Sequence, residues 1–146
     1  MANATQIKFG YPGTLIAETS HWSIQTRPAQ PMLGALVLIC KDAVTAFGGV
    51  SPQAFADLQQ TVARLEPMLQ AAIGYQRINY LMLMMVDPDV HFHVLPRYEG
   101  EKRLGDLVVT DQSWPGPPDL GKTVTPDAAQ MRALTDHLKH HWTVAG

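Results

Sequence analysis

The chain of 146 residues holds one cysteine, Cys40, so no internal disulfide can form and a disulfide-stapled scaffold is excluded. Cys40 ends the apolar run Leu36-Val37-Leu38-Ile39, where a buried structural thiol is expected rather than a nucleophile. No apolar stretch is long enough to cross a bilayer, which speaks against a membrane partner. The opening Met1-Ala-Asn-Ala-Thr-Gln-Ile-Lys8 carries no long hydrophobic segment, and a cytoplasmic, reducing location is expected. Excess positive charge is missing too. Eleven basic residues face 13 acidic ones, for a net charge of -2. That excludes a broad phosphate-neutralising surface and therefore general nucleic-acid binding, but not a small nucleotide held in a pocket. Internal repeats and low-complexity segments are absent.

What is present is a hydrophobic fraction of 46% and a charged fraction of 16%, enough to bury a sizeable core. One domain over residues 1–146 is expected from the length. Residues 1–13 read as irregular, punctuated by Gly10, Pro12 and Gly13. Thr14–Thr19 and the alternating Trp22–Thr26 read as two strands of a hairpin. Arg27-Pro28-Ala29-Gln30-Pro31 is a connector, because each proline removes a ladder donor. Leu33–Lys41 is a strand covered on both sides.

Ser51 and Pro52 supply an N-cap and a first-turn proline. Phe55, Leu58, Val62, Leu65 and Leu69 then form one apolar helical stripe. Pro67 is expected to kink or end that helix, with Gly74 as the stop. Arg77–Val86 is the next strand, turned by Asp87-Pro88 into an antiparallel partner beginning near Asp89. Residues 99–124 are rich in glycine and proline and read as mostly loop, with a short extended piece at Leu107–Val109. Thr125-Pro126-Asp127 opens a C-terminal helix over residues 125–142. The pattern predicts an α+β fold: an antiparallel sheet of about five strands with two main helices.

The stretch with chemical potential is Asp89-Val90-His91-Phe92-His93-Val94-Leu95-Pro96-Arg97. On an extended strand Asp89, His91, His93 and Leu95 share one face, while Val90, Phe92 and Val94 share an apolar face suited to burial. Three readings stand. The strand is half exposed with its polar residues outward; or two imidazoles and a carboxylate bind a divalent ion; or an imidazole nitrogen attacks phosphorus. Spacing does not choose between the last two. Attack on phosphorus requires the rings to stand side by side over an open cavity, with the inner nitrogen free.

His91-Phe-His93-Val-Leu-Pro96-Arg97 resembles the motif of the histidine triad nucleotide hydrolases and transferases, His-x-His-x-His followed by apolar residues and often Pro-Arg. Pro31-Met-Leu-Gly34-Ala-Leu-Val-Leu-Ile-Cys-Lys41 resembles that family's Pro-Gly-His stretch and following strand, and Asn79 matches an asparagine of one branch. The resemblance runs from about Trp22 to Tyr98. It implies that His91 is the nucleophile and attacks the α-phosphorus of a nucleotide conjugate, and that water then releases a nucleoside monophosphate. It implies that His93 contacts phosphate oxygens or helps the leaving group, and that the Asp89 carbonyl orients His91. Asn79 would support the motif strand, and Gln25 would lie beside the nucleotide. Dinucleoside polyphosphates and nucleoside phosphoramidates are the implied substrates, with no built-in metal or cofactor and a homodimer as the implied assembly.

Three positions depart from that pattern. Asp89 replaces the first histidine, Ala35 stands where many members have another, and Met84-Met85 replace a Gly-Asn pair. An ionised Asp89 about 6 Å from a phosphate charge would repel it by roughly 3 kcal/mol at an effective dielectric of 20. Arg97 is the substrate-side cation expected to offset it. Elsewhere, His137 and His141 have the i, i+4 spacing of a metal pair, but a solvated helix face is expected. Trp114 either covers a base or partner surface or anchors its loop.

Overall fold

In the computed structural model, which describes residues 1–146, these segments form an α+β arrangement around one five-stranded antiparallel sheet. A short helix α1 (Ala4–Lys8) leads into β1 (Leu15–Glu18), β2 (Trp22–Thr26) and β3 (Leu36–Cys40). Helix α2 (Pro52–Ala72), β4 (Arg77–Leu81), β5 (His91–Arg97), the hairpin β6 (Glu101–Leu104) and β7 (Leu107–Thr110), and α3 (Ala128–Ala145) follow. The sheet order is β1-β2-β3-β5-β4, so the histidine strand lies between β3 and the edge strand β4.

The register decides what each face carries. Leu36, Leu38 and Cys40 of β3 lie opposite Thr26, Ile24 and Trp22 of β2, and Leu36 and Leu38 lie opposite Val94 and Phe92 of β5. That face packs under α2 and α3 through Leu65, Met68, Leu69, Leu134, Leu138 and Trp142. The opposite face carries Val37 and Ile39, flanked by His93 and His91 on one side and by Gln25 and Ser23 on the other. A second, smaller apolar cluster forms there when Phe9 closes on Val37 and Ile39. Hence β3 is buried along its whole length, as its unbroken apolar run requires.

Gly34 precedes β3 at φ +92°, and a Cβ there would stand 2.7 Å from Ile73 Cγ1, so only glycine fits the close approach of this turn to the end of α2. Gln30 organises the same connector. Its Oε1 accepts from the Gly34 and Ala35 N–H groups, and its Nε2 donates to the Ala35 carbonyl.

Five expectations need correction. Residues 4–8 are helical, because Asn3 and Gln6 form a reciprocal capping box. Pro67 does not end α2, which runs on to Ala72; the proline sits on an exposed side. The strand after α2 stops at Leu81, and residues 82–90 carry the chain over to β5 without regular structure. Residues 99–124 are not mostly loop at their start: β6 and β7 pair over Glu101–Thr110, turning at Gly105 (φ +60°). The C-terminal helix is capped by Asp127 with Gln130, two residues later than the Thr125 start expected.

Candidate functional site

His91 and His93 open β5 and project on the same face, as two-residue alternation demands. Their ring centroids are 5.4 Å apart, nearly perpendicular. The His91 Nδ1–H donates to the Asp89 carbonyl at 2.7 Å. That bond fixes the tautomer and leaves the Nε2 lone pair as the reactive end. Nε2 has no protein partner and is not among the sealed polar atoms.

His93 differs. Its Nδ1 is buried without a partner. Burial, then the charge of Arg27, then that of His91 push its pKa down to about 4. The ring is therefore neutral at pH 7. An orphaned lone pair costs less than an orphaned N–H, so the proton belongs on Nε2, where the ring can donate to an anion.

The expected open cavity over the rings is not there. His91 is 2% and His93 6% exposed. The cover is the N-terminal segment: the Phe9 ring lies 6.1 Å from that of His91 and 5.9 Å from that of His93. Several bonds hold this strap down. Asn3 donates to the Cys40 carbonyl, Gln25 Nε2 donates to the Gln6 and Phe9 carbonyls, and Lys8 pairs with Asp87 at 2.8 Å. A cleft of about 870 Å³ runs along β4, where Leu81 lies opposite His93. Trp114 and Pro115 form its far wall.

The remaining expected site residues go elsewhere. Asp89 precedes β5, so strand alternation does not aim its carboxylate beside the imidazoles. Instead Oδ2 accepts from the Thr5 N–H at 3.2 Å and from Thr5 Oγ1 at 2.8 Å, clamping the start of α1. The trio Asp89, His91 and His93 is thus not assembled for a metal ion, and no group of three or more His, Cys, Asp or Glu side chains is. Gln25 is fully buried, its amide spent on the strap. Arg97, 3% exposed, is also committed. It forms a two-pronged bond to Asp111 at 2.7 and 3.1 Å, and donates to Asn79 Oδ1 and the Gly116 carbonyl. It ties β5 to β4 and to the 111–116 loop, with Asn79 as its partner, and neither Gln25 nor Arg97 reaches the histidines. His137 Nε2 donates to the Ala72 carbonyl and His141 Nδ1 to the His137 carbonyl, so these rings dock and cap helices.

Three residues of the site were missed by sequence reasoning: Thr5, Phe9 and Arg27. The Asn3-Ala-Thr-Gln6 capping box was readable as a helix start. Nothing local marks where that helix lands, or that the Arg27 charge acts on His93.

A five-stranded antiparallel sheet with paired histidines on its penultimate strand defines a class: the chain has the fold of the histidine triad proteins. No protein-family model and no curated protein matches the sequence. Solved structures do. A histidine triad protein of Sinorhizobium meliloti superposes with a TM-score of 0.75 at 20% identity, over 97% of this chain and 96% of that one. A hypothetical histidine triad nucleotide-binding protein of Sulfolobus tokodaii gives 0.70 at 14% identity, over 96% and 90%. A zinc-bound histidine triad family protein of Mycobacterium smegmatis gives 0.55 at 17% identity, over 93% of each chain. At these identities the likeness is one of fold.

Proposed function

We propose that the protein is a nucleotide phosphohydrolase acting on dinucleoside polyphosphates or nucleoside phosphoramidates through His91. The observation that carries this reading is the Nδ1–H bond from His91 to the Asp89 carbonyl, which presents an unprotonated Nε2. In the first half-reaction Nε2 bonds to the α-phosphorus, and the bond from phosphorus to the bridging oxygen or nitrogen breaks, leaving with its electron pair. The Asp89 carbonyl stabilises the Nδ1–H as positive charge develops on the ring. In the second, a water oxygen bonds to phosphorus and gives a proton to solvent, matching the proton that the leaving group takes from solvent, the electron pair of the Nε2–P bond returns to the imidazole, and a nucleoside monophosphate departs. His93, neutral with Nε2–H forward, donates to a phosphoryl oxygen. Because Phe9 covers both rings, the strap over residues 3–9 lifts for substrate to enter. The cleft along β4 then takes the part of the substrate beyond the phosphate.

The nucleotide-binding neighbour from Sulfolobus tokodaii supports a nucleotide as ligand. The edge strand β4, followed by exposed Leu83, Met85 and Val86, supports pairing with a second copy. The lone buried thiol Cys40 suits a reducing, cytoplasmic setting. No helix is long and apolar enough to cross a membrane.

The test is incubation with adenosine phosphoramidate and diadenosine polyphosphates, read by mass spectrometry for product and for a nucleotidyl adduct. His91→Ala is expected to lose turnover and adduct while keeping its circular dichroism and unfolding midpoint; undiminished turnover in that variant rejects the mechanism. The near-complete burial of both rings favours a second reading, a catalytically silent nucleotide-binding domain. Nucleotide binding without product across the panel selects it.

A further inference from the structure

Two buried side-chain polar atoms in this protein have no hydrogen-bond partner: Arg27 Nε and His93 Nδ1. They belong to one face of the sheet. The Arg27 N–H donates to the Ala35 carbonyl, which continues the β2–β3 ladder one step past the Thr26–Leu36 pair. Alternation then puts Arg27 on the side of Gln25, Val37 and His93. The pairing of Leu36 with Val94 sets Ala35 beside Leu95. Across that line Ala35 separates Arg27 from Leu95, and His93 follows one same-face step further along β5. The proximity has an electrical consequence, since the Arg27 charge is the second cause, after burial, of the low pKa of His93.

Arg27 has no carboxylate to neutralise it. The ion pairs of the molecule are Lys8–Asp87, His21–Asp42 and Arg97–Asp111. Its Nη1 donates only to the Ala29 carbonyl. A desolvated guanidinium without a counter-ion is costly, and burial pulls its own pKa down. An anion arriving between Arg27 and the imidazoles relieves that cost and satisfies the idle Nε–H in one charge-assisted bond. Arg97 does not serve here, because its guanidinium is already committed.

We propose that Arg27 is the anion-anchoring residue of the histidine site, donating from its guanidinium to a non-bridging oxygen of the phosphoryl group held at His91. This assignment deepens the phosphohydrolase reading and rests on it for the position of the phosphate. Arg27 binds; it forms and breaks no covalent bond and carries no transferred proton.

The test measures binding of inorganic phosphate and of AMP to the full chain by calorimetry, with the His93 titration followed by NMR. Arg27→Gln is expected to weaken both ligands at least tenfold and to raise the His93 pKa. Arg27→Lys, which keeps the charge, recovers part of the affinity and covers the case in which Arg27→Gln does not fold. Wild-type-like phosphate and AMP binding in Arg27→Gln overturns the proposal, as does a wild-type protein that binds neither. If no conjugate is turned over but phosphate binding still depends on Arg27, the hydrolase reading fails and the anion site stands.

Discussion

Packing under Phe9 keeps His93 uncharged well into the acid range, and this has a sign that stability measurements can read. An unfolded chain protonates His93 near its ordinary value of 6.5, whereas the folded chain resists until about 4. Between those limits the unfolded state binds the extra proton, so stability contributed by neutral His93 is full above pH 6.5 and lost as pH falls toward 4. Urea unfolding at stepped pH is expected to show this decline, and His93→Asn to lack that portion of it. Arg97 makes a second residue-level case. Replacing it with Met leaves the Asp111 carboxylate, 4% exposed as a residue, without its cation. The expected cost is about 3–5 kcal/mol in the free energy of urea unfolding, far beyond an exposed ion pair. A near-neutral Arg97→Met would show that the buried pair is dispensable.

Among the elements, α1 is held in position by a residue 84 places away. The Thr5 side chain and N–H both donate to Asp89 Oδ2. Thr5→Val removes the hydroxyl donor while keeping shape, at an expected cost of about 1–2 kcal/mol. It also loosens the cover on the imidazoles. Modification of His91 and His93 by diethyl pyrocarbonate is therefore expected to accelerate in Thr5→Val, with the rate read by peptide mass spectrometry. Unchanged rates would mean that the strap is not what shields the rings. The turn into β3 gives the complementary test. Gly34→Ala places a methyl 2.7 Å from Ile73 Cγ1 at a positive φ, and is expected to destabilise by about 1–3 kcal/mol.

At the scale of the whole molecule, the sheet is asymmetric. Its β1 end packs against α3, while β4 ends the sheet on the other side and leads into exposed Leu83, Met85 and Val86. Sedimentation equilibrium at micromolar concentration is expected to give twice the mass of the chain. Leu83→Lys with Met85→Lys is expected to shift the equilibrium toward single chains without lowering the unfolding midpoint. A wild-type protein of single-chain mass across that range would set the pairing aside.

Much of this was legible along the chain because its signals are local. The unbroken run Leu36–Cys40, the cap Ser51-Pro52, the stripe from Phe55 to Leu69 and the alternation of His91 and His93 each report the nearest few neighbours. Backbone period and capping chemistry therefore placed the strands, the long helices and the two imidazoles on one face. Where Asp89, Gln25 and Arg97 point is a different matter, since no local pattern reports the distant group that each side chain meets. Only tertiary packing decided that Asp89 clamps Thr5, that Gln25 holds the strap and that Arg97 closes on Asp111. Those partners are separated by 14 to 84 residues and meet through sheet register. The same register brought Arg27 to the histidine face and Phe9 over the rings, because a side chain's polar partners are chosen by which groups are buried together, not by which are adjacent in the chain.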